Sequence, residues 1–146
     1  MSFGPTTGID AQNPAGSLAI DSSGNLYGTA SSGRANGVGA VFEFIPAKHS
    51  EVVIHSFSDP PSNDGMGPIG HLIWDSTGNL YGTTLIGGTD GNGAVFKITA
   101  AGTESVLDSF GFSQDGTIPY ADLVMDSSGS LYGTTTGGGA KRQPSR

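Results

Sequence analysis

Three fully apolar runs punctuate the chain at nearly regular intervals, and each is followed by the same polar turn. Leu18-Ala-Ile20, Leu72-Ile-Trp74 and Leu123-Val-Met125 are apolar at every position, the pattern of a strand covered on both faces. Each leads through Asp-Ser-x-Gly into a second run: Leu26–Ala30, Leu80–Thr84 and Leu131–Thr135. In the first two copies a third and a fourth run follow, Ala40–Ile45 and Glu51–Phe57, then Ala94–Thr99 and Glu104–Phe110. All are rich in β-branched and aromatic residues and are bounded by Gly, Asp, Asn or Pro, as short strands are. Phe42 and Phe44 alternate with Val41 and Glu43, which gives that strand one buried face. No window sustains a helical apolar period, so no helices are predicted. No apolar run is long enough to span a membrane as a helix.

The markers Asp21, Asp75 and Asp126 recur at intervals of 54 and 51 residues. Four antiparallel strands per unit of that length, the first of them the most apolar, describe a blade of a β-propeller. The predicted fold class is therefore all-β, a β-propeller segment of about two and a half blades by this repeat length. Residues 1–136 form the repeat segment: 2–13 close a preceding blade and its loop, 14–57 and 68–110 are complete blades, and 119–136 are half a blade. Residues 137–146 form a basic tail outside the repeat, and the chain reads as a fragment of a longer propeller. The open apolar faces of such a segment allow self-association. Each turn between the first two strands starts with Asp21, Asp75 or Asp126, whose carboxylate can accept a backbone N–H two residues on. Gly24, Gly78 and Gly129 supply the left-handed position. Gly28, Gly82 and Gly133 within the second strand predict a bulge or a close approach by the neighbouring blade.

Composition changes this picture little. The 25 glycines fit a turn-rich chain, and the absence of cysteine removes disulfides and thiolate chemistry. The net charge is −7, yet Lys141, Arg142 and Arg146 lie in the tail, so the repeats are more acidic still. Such a surface repels phosphate backbones, which argues against nucleic acid as a partner. The opening Met-Ser-Phe-Gly-Pro has no basic region followed by an apolar core, so no signal peptide is predicted in this chain.

The unit Asp-x-x-Gly-Asn-Leu-Tyr-Gly-Thr-Thr, a Gly-rich loop, Gly-Ala-Val-Phe-Lys-Ile-Thr, then Val-Leu-x-Ser-Phe and Asp-Gly-x-x-Pro resembles the GloVer-type (Gloeobacter/Verrucomicrobia-type) tandem repeat. The likeness covers residues 2–139. It departs at Ser32-Gly33-Arg34, where the pattern has Gly-Gly, at Asp108, which takes the place of His55, and in the tail. More loosely, the Asp-x-x-Gly-Asn-Leu-Tyr segment is similar to NHL and gluconolactonase-like propellers. The resemblance implies a propeller in an exported bacterial protein, extracellular or on the cell surface, with no established activity.

Antiparallel order puts the loops after strands two and four on one face of the segment, and these are the long ones: 31–39, 58–67, 85–93 and 111–118. Long loops on a rigid scaffold are the usual carriers of binding sites. The candidate ligand-binding residues are therefore Ser17, His71 and Asp122, at equivalent positions where the innermost strand begins, together with Asp64, Asp115, Arg34 and Asp90 in the loops. Ser17, His71 and Asp122 have the residue types of a catalytic triad, but equivalent positions in successive blades are expected about 10 Å apart, against roughly 4.8 Å between strands of one sheet. No catalytic residues are therefore assigned. The Asp-headed turns lack the alternating oxygen ligands of a calcium loop, so no metal site or cofactor is assigned, although calcium remains open. His55 reads as a packed or edge residue and Trp74 as core filling. The function predicted is a non-catalytic repeat scaffold or binding module of an exported protein, with an unknown carbohydrate or protein ligand. The alternative is a fragment of a lactonase- or lyase-like propeller enzyme with an axial metal.

Overall fold

The computed structural model describes residues 11–33, 37–58, 64–111 and 116–138. Among these residues ten strands form three antiparallel sheets. The first sheet contains β1 (Ala11–Ile20), β2 (Leu26–Gly33), β3 (Ala40–Ile45) and β4 (Ser50–Ser56), in that order. The second repeats it with β5 (Met66–Trp74), β6 (Leu80–Ile86), β7 (Ala94–Ile98) and β8 (Glu104–Ser109). The third consists of β9 (Val124–Met125) and β10 (Leu131–Tyr132). This is the all-β, propeller-like segment that the periodicity predicts. There is no α-helix among the described residues; a three-residue 3₁₀ turn, Pro46–Lys48, joins β3 to β4.

Two expectations about the strands need correction. The innermost strands are longer than their apolar runs, because pairing resumes beyond a bulge. Pro14 faces Ala30 and Pro68 faces Thr84, with the register shifting between Ala15 and Ala19 and between Ile69 and Ile73. The fully apolar run is also covered on both sides only in the second sheet. There Leu72 and Trp74 face the first sheet, while Ile73 faces the third. In the outer copies one side is open, with Ile20 64% and Val124 62% exposed.

The core lies between the sheets. Ala19, Val41 and Phe57 of the first repeat meet Leu72, Leu80, Phe96 and Ile98 of the second. Tyr81 and Val95 then meet Leu123 of the third. Trp74 packs edge-on against Tyr27 with ring centroids 4.6 Å apart. Its indole nitrogen is buried without a hydrogen-bond partner among the described residues, and the side chain fills the core between the sheets. Gly28 and Gly82 stand opposite the expected bulges, between the partners of Ala15 and Ala19 and of Ile69 and Ile73, but the close approach is not made by a neighbouring blade. A Cβ on Gly82 would lie 2.6 Å from Phe96 and 3.0 Å from Leu72, and one on Gly28 would meet Leu18 and Phe42. The close approach thus comes from flanking strands of the same sheet, whose large side chains fold over the glycine. One backbone bond recurs between repeats: Gly67 N–H donates to Val38 O (2.8 Å), as Ile118 N–H does to Asn92 O (3.0 Å).

Candidate functional site

On the short-turn face, each repeat uses its Asp carboxylate to organise the turn. Asp75 Oδ1 accepts the backbone N–H groups of Thr77 (2.8 Å) and Asn79 (3.0 Å) and the Thr77 hydroxyl (2.8 Å). Its Oδ2 accepts Asn79 Nδ2 (2.7 Å) and the Tyr81 hydroxyl (2.9 Å). Asp21 and Asp126 repeat the arrangement, each ending on the tyrosine six residues on, Tyr27 at 3.1 Å and Tyr132 at 3.0 Å. Gly24, Gly78 and Gly129 take φ of 82°, 85° and 87° in these turns.

These donors stabilise the ionised carboxylates. The Ser128 hydroxyl leads the bonds that lower Asp126 to about 2, from an ordinary value of 3.8. The Asn79 N–H leads those that lower Asp75. Partial burial would raise Asp21, but bonds from Asn25 and Ser23 outweigh it. A folded-state value below the unfolded one means stability that is complete above the ordinary carboxylate range and is lost on acidification. The melting temperature is therefore expected to fall as pH drops from about 4 towards 2, and Asp126→Asn is expected to flatten that fall. Melting curves at successive pH values test this; an Asp126→Asn profile parallel to the wild type would refute it.

On the long-loop face equivalent positions lie closer together than the sequence suggests. A Cβ on Gly16 would strike the backbone of Gly70 at 2.4 Å, so successive innermost strands nearly touch there. Asp122 Oδ1 accepts the backbone N–H of His71 at 2.7 Å, and its Oδ2 lies 3.7 Å from His71 Nδ1. The expected spacing of about 10 Å, set from ordinary strand packing, therefore fails for this pair. His71 lies within the irregular stretch of β5 between Ile69 and Ile73, and Asp122 of the next repeat bonds to it there. Ser17 is exposed and makes no hydrogen bond to His71 among the described residues. Asp90 is exposed in the loop after β6. Arg34, Asp115 and residues 139–146 of the tail lie outside the described residues, as does the segment before residue 11.

A groove on this face is lined by Leu85, Ile86, Gly91, Asn92, Ile118 and Tyr120. Ile118 and Tyr120 are 44% and 65% exposed. Asn92 Nδ2 is buried and has no hydrogen-bond partner among the described residues. Ile118 has φ of 57°, a left-handed conformation that disfavours β-branched residues. The equivalent residues before Pro14 and Pro68 are Asn13 (φ 52°) and Gly67 (φ 60°), types that tolerate it better. Sequence reasoning missed this groove. The available signal was departure from the repeat: Asn92, Ile118 and Tyr120 replace Val38, Gly67 and Ile69.

A second cluster lies at the junction of the outermost strands. His55 Nε2 is 3.3 Å from Asp64 Oδ2, and a Glu104 oxygen from the next repeat completes a set whose ligand atoms lie within 4.8 Å of one another. Burial, with the Asp64 charge second, pushes Glu104 up to about 7. Burial lowers His55, against the opposing pull of Asp64. His55 also packs edge-on against Phe57, ring centroids 4.7 Å apart.

No helix among the described residues is long and apolar enough to cross a membrane. No curated protein matches the chain. The Asp-headed turn that ends on a tyrosine recurs in all three repeats, and a repeat-family model matches the chain. That model, the Gloeobacter/Verrucomicrobia repeat, matches residues 1–144, and the chain belongs to that family.

Proposed function

We propose that this chain is a non-catalytic binding module of an exported bacterial protein, and that it recognises an oligosaccharide in the groove between Leu85 and Tyr120 on the long-loop face. The observation that carries the reading is Ile118, an exposed apolar side chain held in a backbone conformation that costs about 1–2 kcal/mol. Strain of this kind clusters at ligand sites, where surrounding contacts hold it in place. Around it stand the features of a small recognition site: an exposed aromatic ring, apolar walls and one unused amide donor, Asn92 Nδ2. A flat tyrosine beside an amide suits the alternating apolar and hydroxyl-bearing faces of a sugar. The family likeness supports export and a bacterial source. The exposed Ile20 and Val124 on the two end faces support a ring in which further blades cover them.

Two measurements test the proposal. Glycan-array binding by the purified chain is expected, with Tyr120→Ala reducing affinity at least tenfold. Array binding that Tyr120→Ala leaves unchanged would place recognition elsewhere, and capture of peptides in place of glycans would replace the ligand class. Ile118→Gly is expected to raise stability by about 1 kcal/mol while weakening binding. A melting temperature lowered by that change would remove the strain argument.

A further inference from the structure

We propose that His55, Asp64 and Glu104 form a binding site for a divalent transition-metal ion of the zinc type, which would link the outer rims of the first and second sheets. The three residues come from separate elements: β4, the loop that follows it, and the start of β8 in the next repeat. Folding nevertheless brings one ligand atom of each within 4.8 Å of the others. The 3.3 Å separation of His55 Nε2 and Asp64 Oδ2 matches the edge of a tetrahedron whose metal–ligand bonds are about 2.0–2.1 Å long. One imidazole with two carboxylates is a donor set that transition metals accept, whereas magnesium and calcium favour all-oxygen ligands.

The state of the oxygens separates this cluster from the Asp-headed turns. Asp75 uses both oxygens on five donors of its own turn, leaving little for an ion to gain. Glu104 Oε1 is buried and has no hydrogen-bond partner among the described residues. A shielded carboxylate oxygen without a donor, beside a second carboxylate, is costly unless a proton or a cation meets it. Asp64 also accepts hydrogen bonds from the Ser58 backbone N–H and hydroxyl, at 3.4 and 3.5 Å. Three ligands leave a coordination position for water or a ligand atom, so the ion would act as a clamp between sheets and as an open Lewis acid site.

The repeat itself accounts for two of the ligands. Glu51 holds the position of Glu104 in the preceding sheet, and Asp10 and Asp115 hold that of Asp64. The imidazole is particular to this junction, because Asp108 stands where His55 would recur. Metal selectivity would therefore belong to the first junction alone.

Zinc chloride titrated into the whole chain, followed by calorimetry and thermal melting, tests the site. One equivalent of saturable binding and a raised melting temperature are expected, with magnesium chloride giving neither. Glu104→Gln and His55→Gln should each weaken zinc binding at least tenfold, while His49→Gln should leave it unchanged. Far-UV circular dichroism checks that each variant is folded. No saturable binding, or binding of equal strength in Glu104→Gln, overturns the proposal. If His55→Gln fails to fold, the wild-type chain with cobalt(II) still decides. An intense visible absorption band supports a low-coordinate site, and the weak spectrum of the aquo ion refutes it.

Discussion

Replacing Phe96 with alanine is expected to destabilise the chain by about 3–5 kcal/mol, the range for deleting a large buried aromatic. Phe96 has no exposed surface and belongs to the cluster that joins the first sheet to the second. Its ring meets Phe57 of the first repeat at 5.2 Å and 66° and lies over Gly82 in its own sheet. The substitution would therefore empty space on an inter-sheet boundary, where no single strand can shift to fill it. Gly82→Ala is the converse case, a methyl group placed 2.6 Å from the Phe96 ring, and is expected to cost about 1–3 kcal/mol by overpacking. Because the two residues share one space, the double substitution should cost less than the sum of the singles. Urea unfolding followed by circular dichroism measures all three. A Phe96→Ala loss below about 1 kcal/mol would mean that the sheets do not stack through this residue.

The second large effect is expected at Gly39, where the third strand begins. Its φ is 114°, and a Cβ there would lie 2.4 Å from Pro68 Cδ and 2.7 Å from Ala30 O. Gly39→Ala combines overpacking of about 1–3 kcal/mol with backbone strain of about 1–2 kcal/mol. Neither contact can relax easily, because Pro68 is fully buried and Ala30 is held in the β2–β3 ladder. Gly37 provides the control: its φ is 71°, but nothing lies within 4 Å of its Cβ position, so Gly37→Ala should show the strain alone. Hydrogen exchange adds a local readout. The Gly67 amide, bonded to Val38 O across the junction, should exchange faster in Gly39→Ala than in Gly37→Ala. Equal melting temperatures for the two variants would show that the proline contact carries no weight. Gly93 stands in the same relation to Pro119, so the effect should recur one repeat later.

Much of the architecture was legible because it depends on local rules that recur. Strand number, antiparallel order and the Asp-x-x-Gly turns follow from apolar periodicity and turn chemistry, each set by residues close together in the chain. Three copies of one unit made that pattern hard to misread. The lengths of the innermost strands were not legible, because β1 and β5 continue through a bulge whose cost is met by pairing with the next strand. The partners of Gly28 and Gly82 were also hidden. A glycine in a strand announces a close neighbour, but only packing reveals that the neighbours are Leu18 and Phe42 in one sheet and Leu72 and Phe96 in the other.

The candidate sites divide along the same line. Sequence pointed to the long-loop face and to His71 and Asp122, but misjudged their separation, because the approach of one repeat to the next is set by tertiary packing. It passed over Asn92, Ile118 and Tyr120, whose candidacy comes from a shared groove, a strained φ at Ile118 and an Asn92 donor without a partner among the described residues. It read His55 as a packing residue, which the Phe57 contact supports, but could not place Glu104 beside it. Those two positions are 49 residues apart in the chain and meet only where the outermost strands of neighbouring sheets come together. The sequence by itself determined the repeat, its four-stranded unit and its turns, because each is enforced over a few residues by periodicity and backbone preference. The tertiary structure alone decided which side chains from different repeats share one space, because stacking of the sheets sets those distances and the order of residues along the chain does not.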